Sequence, residues 1–182
     1  MTLAKPPTPM TIPLSLPGPE LLAAQLIAAE IAAEPPELRR WVSFWLGKVR
    51  YAVEIRQLRE VLAQARPVPV PGAPSAAVLG VINLRGEIVT LLDLGLWLGL
   101  APACREGPVL VLEQGGFSLG LRVDAMAALL KRMPAEVLAP EPVDSPALRA
   151  LVCGRTADGD EMLTLLDASV LLSPSLPAAQ AG

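Results

Sequence analysis

Apolar residues recur at every second position along most of this chain, in paired runs separated by turn residues. Val42, Phe44 and Leu46 alternate with Trp41, Ser43 and Trp45. After Gly47 and Lys48, Val49, Tyr51, Val53 and Ile55 alternate with Lys48, Arg50, Ala52 and Glu54. A period of two predicts a β-hairpin with one buried face. Residues 80–93 predict a second hairpin, two apolar strands joined by a tight turn at Arg85, Gly86 and Glu87. Gly86 supplies the positive φ such a loop needs. Asp93 is placed to cap a short helix running through Leu94, Trp97 and Leu98. Residues 57–62, with Leu58, Val61 and Leu62 apolar, suffice for a turn or two of helix or a short edge strand. Pro67, Pro69, Pro71 and Pro74 then impose an extended connector that cannot occupy a central strand.

The second half repeats this plan. Residues 109–113 and 117–123 flank Gln114, Gly115 and Gly116 as a third hairpin. A helical or irregular stretch at 134–138 leads to a second connector carrying Pro140, Pro142 and Pro146. Residues 151–156 and 162–166 pair across Asp158-Gly159, a strong turn signal. Asp167 opens a last helix through Val170, Leu171 and Leu172. The tetrapeptide Thr-Leu-Leu-Asp recurs at 90–93 and 164–167. This order predicts two similar small antiparallel β-barrels, about 39–100 and 101–175, sharing an apolar interface. The second copy builds its hairpin with a different tip, so folding does not require Arg85.

Residues 1–38 read differently. Six prolines punctuate the first 19 residues, which predicts an extended or disordered segment, and residues 20–34 predict an Ala/Leu-rich helix stopped by Pro35 and Pro36. Leu21, Leu22, Leu26, Ile27 and Ile31 spread around that helix, which suits packing on the domain or filling a partner's groove. Residues 176–182 are expected to be a flexible tail.

Composition narrows the function. The chain has 182 residues, 52% of them hydrophobic, and a mean hydropathy of +0.47, which excludes a disordered polymer. No run of about 18 apolar residues occurs, so direct membrane insertion is not expected. Prolines follow Lys5 in place of the apolar stretch of a secretory signal. A net charge of −3 argues against a nucleic-acid partner. With no histidine there is no imidazole base, Ser-His-Asp triad or phosphohistidine. Cys104 and Cys153 stand far apart without a C-x-x-C, which reads as two free, buried thiols and no zinc site. No phosphate-binding glycine loop occurs, and Glu113, Asp124, Asp144, Asp158, Asp160 and Asp167 lack ligand-loop spacing. No cofactor and no enzymatic activity are expected.

Several elements together resemble the CheW family of chemotaxis coupling proteins. These are Phe44-Trp45-Leu46-Gly47, Tyr51-Ala52-Val53, Leu58-Arg59-Glu60-Val61, the prolines from 69 to 74, the Gly-Val-Ile-Asn-Leu-Arg-Gly hairpin opening at Gly80, and Leu119 to Asp124 with its Gly-x-x-Val-Asp end. The resemblance spans about residues 40–174. It implies an all-β fold of two SH3-like five-stranded antiparallel barrels with short helices. It also implies a cytoplasmic, non-catalytic adaptor of a two-component system. Its partners would be the cytoplasmic tips of chemoreceptors and the regulatory domain of a CheA-like histidine kinase. Arg85 of Asn83-Leu84-Arg85-Gly86 would work with Glu60. A receptor's helical hairpin would lie in a groove for which Leu58, Val61, Leu62, Val81, Ile82, Leu84 and Ile88 are candidates. Half of any strand faces inward, so these positions also suit the barrel core. The chain departs from the family at Thr90, usually Pro, at Gly95, often Arg, and in its long N-terminal extension. Two other readings stay open: a CheW-like scaffold for a non-chemotactic output such as surface motility, and a double barrel binding a small apolar ligand between its halves.

Overall fold

The computed structural model describes residues 37–172, which form ten strands and two short helices; the expected helix at 20–34, the rest of residues 1–36 and the tail at 176–182 lie outside the described residues. The strands are β1 (Arg39–Leu46), β2 (Val49–Glu54), β3 (Leu58–Leu62), β4 (Val78–Leu84), β5 (Glu87–Asp93), β6 (Val109–Gln114), β7 (Phe117–Arg122), β8 (Ala125–Arg132), β9 (Val152–Asp158) and β10 (Glu161–Leu166). The helices are α1 (Leu94–Trp97) and α2 (Pro146–Leu151). All four expected hairpins form, and Asp93 caps α1 by accepting the Leu96 amide at 2.9 Å. Asp167 likewise accepts the Ser169 amide ahead of a 3-10 turn.

The two five-stranded sheets run β8-β1-β2-β10-β9 and β3-β6-β7-β5-β4. A sequence boundary near residue 100 therefore does not separate them. Each copy of the repeat lends its first hairpin to the other copy's sheet. Exchanging β1–β5 for β6–β10 converts one strand order into the other, so the repeat is real while its halves are interleaved. The all-antiparallel expectation needs the same correction, because β2 pairs with β10 and β5 with β7 in parallel. Those partners are joined by long crossovers and not by tight turns, so nothing in the chain forces them to alternate direction.

Burial also corrects the one-faced reading of the first hairpin. Tyr51 and Val53 enter the core between the sheets, while Ala52 between them enters a core within its own sheet. In β6, Leu110 and Leu112 face the inter-sheet core, and Val109 and Val111 face the interior of the other sheet. Three apolar cores thus alternate along single strands, which explains why these strands are buried on both faces.

Strand β8 and helix α2 were not expected. The run Ala-Met-Ala-Ala-Leu-Leu at 125–130 has no polar alternation to mark a strand. It becomes one because β1 bulges between Val42 and Phe44. There the fully buried Ser43 replaces the missing rung: its Oγ donates to the Ala128 carbonyl at 2.8 Å and accepts the Ala128 amide at 3.0 Å. Arg50 Nη2 donates to the same oxygen at 3.1 Å. Ser43→Ala is expected to lower stability by about 1–3 kcal/mol, since it strands those groups. A lower urea midpoint at unchanged slope would show it. Helix α2 begins at Pro146, where a missing N–H costs nothing, behind Ser145, whose Oγ accepts the Leu148 amide and donates to the Leu98 carbonyl. Both cysteines, read from sequence as buried, are free and exposed: Cys104 lies in a loop and Cys153 on β9, an edge strand.

Candidate partner-binding hairpin

Asn83 faces Ile88 and Leu84 faces Glu87 across β4 and β5, leaving Arg85 and Gly86 as a two-residue turn. Their φ values are 54° and 93°, the pattern of a type I′ turn, which favours Asn-Gly. Asn83 Oδ1 accepts the Gly86 amide at 2.8 Å, so Asn83 and Gly86 build the turn. Arg85 does not help build it. Among the described residues it is the one non-glycine with positive φ, where a Cβ costs about 1–2 kcal/mol. The corresponding position of the β6–β7 turn is Gly115 and that of the β9–β10 turn is Gly159, both at positive φ.

The Arg85 side chain is 74% exposed, and its Nη2 donates to Glu60 Oε2 at 3.0 Å. Glu60 lies on β3, at the opposite end of the strand order from β4. The pair expected from sequence is therefore made, and it spans a sheet curled back toward its own edge. Beneath it, Arg59 was not singled out by sequence. It binds Glu87 on β5, Glu113 on β6 at 3.4 Å and the Ser118 hydroxyl on β7 at 3.3 Å. A register shift between Leu58 and Glu60 frees Arg59 from strict alternation, so a period-two reading had no means of placing it beside Glu60.

Hydrogen bonds from Ser118 and then Arg59 hold the Glu87 carboxyl below the usual carboxylate range. A carboxyl lowered in the folded state stabilises it above its unfolded pKa, and that contribution is lost as pH falls through the folded value. The Glu87 carboxyl carbon is expected to titrate below 4.5, its ordinary value, in an NMR pH series. Glu87→Gln is expected to make acid unfolding less steep.

The apolar candidates separate into three groups. Ile82 and Leu84 are each 8% exposed and pack with Val89, Leu91, Val109 and Val111; they belong to the core and present little surface to a partner. Leu58, Leu62 and Val81 are half-buried. Leu58 leans on the inter-sheet core and Leu62 on the core within its sheet, while the Val81 backbone bridges Val68 in the proline connector. Val61 and Ile88 remain on the surface, Ile88 at 65%. Phe117, also exposed, was missed by sequence. The parallel register that sets Thr90 beside Leu119 would, if continued two residues back, bring Ile88 alongside Phe117. The exposed surface around the tip thus combines Arg85, the partly shielded Glu60 carboxylate, the Arg59–Glu87–Glu113 cluster and a few aliphatic or aromatic side chains.

The family model described as CheW-like domain matches residues 40–175. The probable chemotaxis protein CheW of Rhizobium etli is 30% identical over 138 residues, covering 74% of this chain and 88% of that protein. Protein FrzA of Myxococcus xanthus is 30% identical over 147 residues, covering 78% and 90%. The crystal structure of the scaffolding protein TtCheW from Thermoanaerobacter tengcongensis superposes with a TM-score of 0.67 at 24% identity, covering 77% of this chain and 96% of that one. The chain belongs to the CheW-like domain family. It is accordingly a CheW-like coupling protein of chemosensory signalling, in a family of scaffolds and adaptors.

Gly95, one of the departures from the family pattern, has a local cause. A Cβ there would lie 2.2 Å from the Ala101 carbonyl oxygen, so the loop after α1 occupies the space an arginine would need.

Proposed function

We propose that this chain is a non-catalytic cytoplasmic adaptor that couples the helical tip of a chemoreceptor to the regulatory domain of a CheA-type histidine kinase. The observation that carries this reading is Arg85, held at a costly φ of 54° and exposed beside Glu60. Equivalent turns in the same chain use glycine, so folding gives no reason for an arginine. Strained, exposed side chains of this kind mark functional positions. The Arg85–Glu60 pair itself adds only about 0–1 kcal/mol to stability; its value lies in fixing the register of a partner. Val61 and Ile88 supply apolar contact beside it. Among the described residues no helix is long and apolar enough to cross a membrane, which suits an adaptor that reaches the membrane only through receptors.

The test is a pull-down of the histidine kinases and chemoreceptors of the source cell with wild-type protein and Arg85→Glu. Wild type is expected to recover both classes of partner and the variant to lose at least one. Equal recovery by the two proteins would remove Arg85 from the interface, and recovery of neither class by wild type would remove the adaptor reading itself.

A further inference from the structure

We propose that the cavity beside the first proline connector binds a small amphipathic anion, an apolar body bearing a single carboxylate or phosphate group. The cavity holds about 480 Å³, within the range of small-ligand sites. Its apolar walls include Leu79 of β4, Leu96 of α1, and Pro67, Pro69 and Pro102 of the adjoining loops. Its charged groups are Arg66, Arg105, Arg122 and Asp93. Three guanidiniums thus face one carboxylate, in a chain whose net charge is −3.

Arg122 carries the inference. It ends β7 and is only 6% exposed. Its Nη2 donates to the Ala65 carbonyl at 2.9 Å, while its Nε is buried without an acceptor. Among the described residues it makes no salt bridge. A buried guanidinium with unfilled donors is costly. Asp93 is its neighbour across the β5–β7 register, yet both carboxylate oxygens are already engaged. Oδ1 accepts the Leu96 and Ala103 amides at 2.9 and 3.1 Å, and Oδ2 accepts the Ala103 amide at 3.0 Å. Asp93 therefore holds α1 and its following loop and leaves the Arg122 Nε donor open.

The interleaved repeat supplies an internal control. The β2–β10 register, continued by one residue, sets Glu54 beside Asp167, as Arg122 sits beside Asp93. The same architecture accepts a carboxylate at the equivalent place, so the buried arginine is not a requirement of the fold. Nε itself is shielded from the cavity, so an oxyanion bound there would draw the Arg122 guanidinium round and give Nε an acceptor, with Arg66 and Arg105 at the rim adding charge. The apolar walls favour an organic body over a bare hydrated ion.

The test titrates the full chain with octanoate, octyl phosphate, inorganic phosphate and octanol, followed by 1H–15N spectra that include arginine Nε–H signals. Octanoate or octyl phosphate is expected to shift the Arg122 Nε–H and the Leu96 and Ala103 amides. The tighter of the two identifies the headgroup as carboxylate or phosphate. Inorganic phosphate is expected to bind at least about tenfold more weakly, and R66E/R105E to weaken the organic anion by about tenfold. Arg122→Gln is expected to abolish binding, and the rim variant decides if that protein does not fold. The proposal is overturned if octanol binds as tightly as octanoate, if the anions bind without moving the Arg122 Nε–H, or if none binds at millimolar concentration.

Discussion

Gly80→Ala is expected to destabilise the protein by about 3 kcal/mol, a large loss for a single added methyl group. Gly80 has a φ of 135°, and a Cβ there would lie 2.2 Å from the Val68 carbonyl oxygen. That close approach lets the proline connector bridge β4, with Val68 N donating to Val81 O at 2.8 Å and Val81 N to Val68 O at 2.9 Å. Alanine must adopt a strained φ and push the connector away, each costing about 1–3 kcal/mol. Gly72→Ala is the control. Gly72 also has positive φ, but a Cβ there meets nothing within 4 Å, so about 1 kcal/mol is expected. Urea unfolding of both variants checks the difference, and equal losses would mean that the connector does not depend on that close approach. The second copy repeats the device at Gly154, whose Cβ would meet Val137 Cγ1 at 2.6 Å and the Leu138 carbonyl at 3.0 Å.

The second large effect falls on binding and leaves the fold intact. Arg85→Asn is expected to keep wild-type stability or exceed it by up to about 1 kcal/mol, because Asn-Gly suits a type I′ turn and the ion pair it removes is weak. Partner affinity is nevertheless expected to fall by about tenfold or more, the scale of losing a charged contact that positions a partner. Most structural residues lose stability and function together. A variant that folds as well or better yet binds worse would isolate the Arg85 side chain as the determinant. Thermal melts and binding isotherms on the same preparation separate the two quantities.

Much of this was legible in the sequence for physical reasons. Period-two alternation and the Arg-Gly, Gly-Gly and Asp-Gly turns located all four hairpins, and Asp93 and Asp167 announced their caps. These are local signals, decided within a few residues. Strand exchange between the repeats was not legible, because which hairpin edge meets which depends on long-range packing. Strand β8 was hidden because Ser43 on a distant strand completes its hydrogen bonding. At the hairpin, the Arg85–Glu60 pair came from family resemblance, while its backbone strain came only from the coordinates. The groove candidates Ile82 and Leu84 were overtaken by the core, since an apolar strand residue reads alike from either face. Arg59 escaped notice because a bulge, and not the strand period, sets its direction.

The most direct measurement of the central claim is a charge-exchange binding experiment with a purified CheA-type regulatory domain and a receptor-tip fragment. Wild type, Arg85→Glu, Glu60→Arg and the double exchange would be titrated against each partner by calorimetry. The single variants are expected to weaken at least one partner by about tenfold or more. The double exchange restores the intramolecular pair, but it is expected to leave binding impaired, because the partner reads which sign of charge stands at the tip. Wild-type affinity for both partners in all three variants would contradict the account, since the strained arginine would then have no role in coupling.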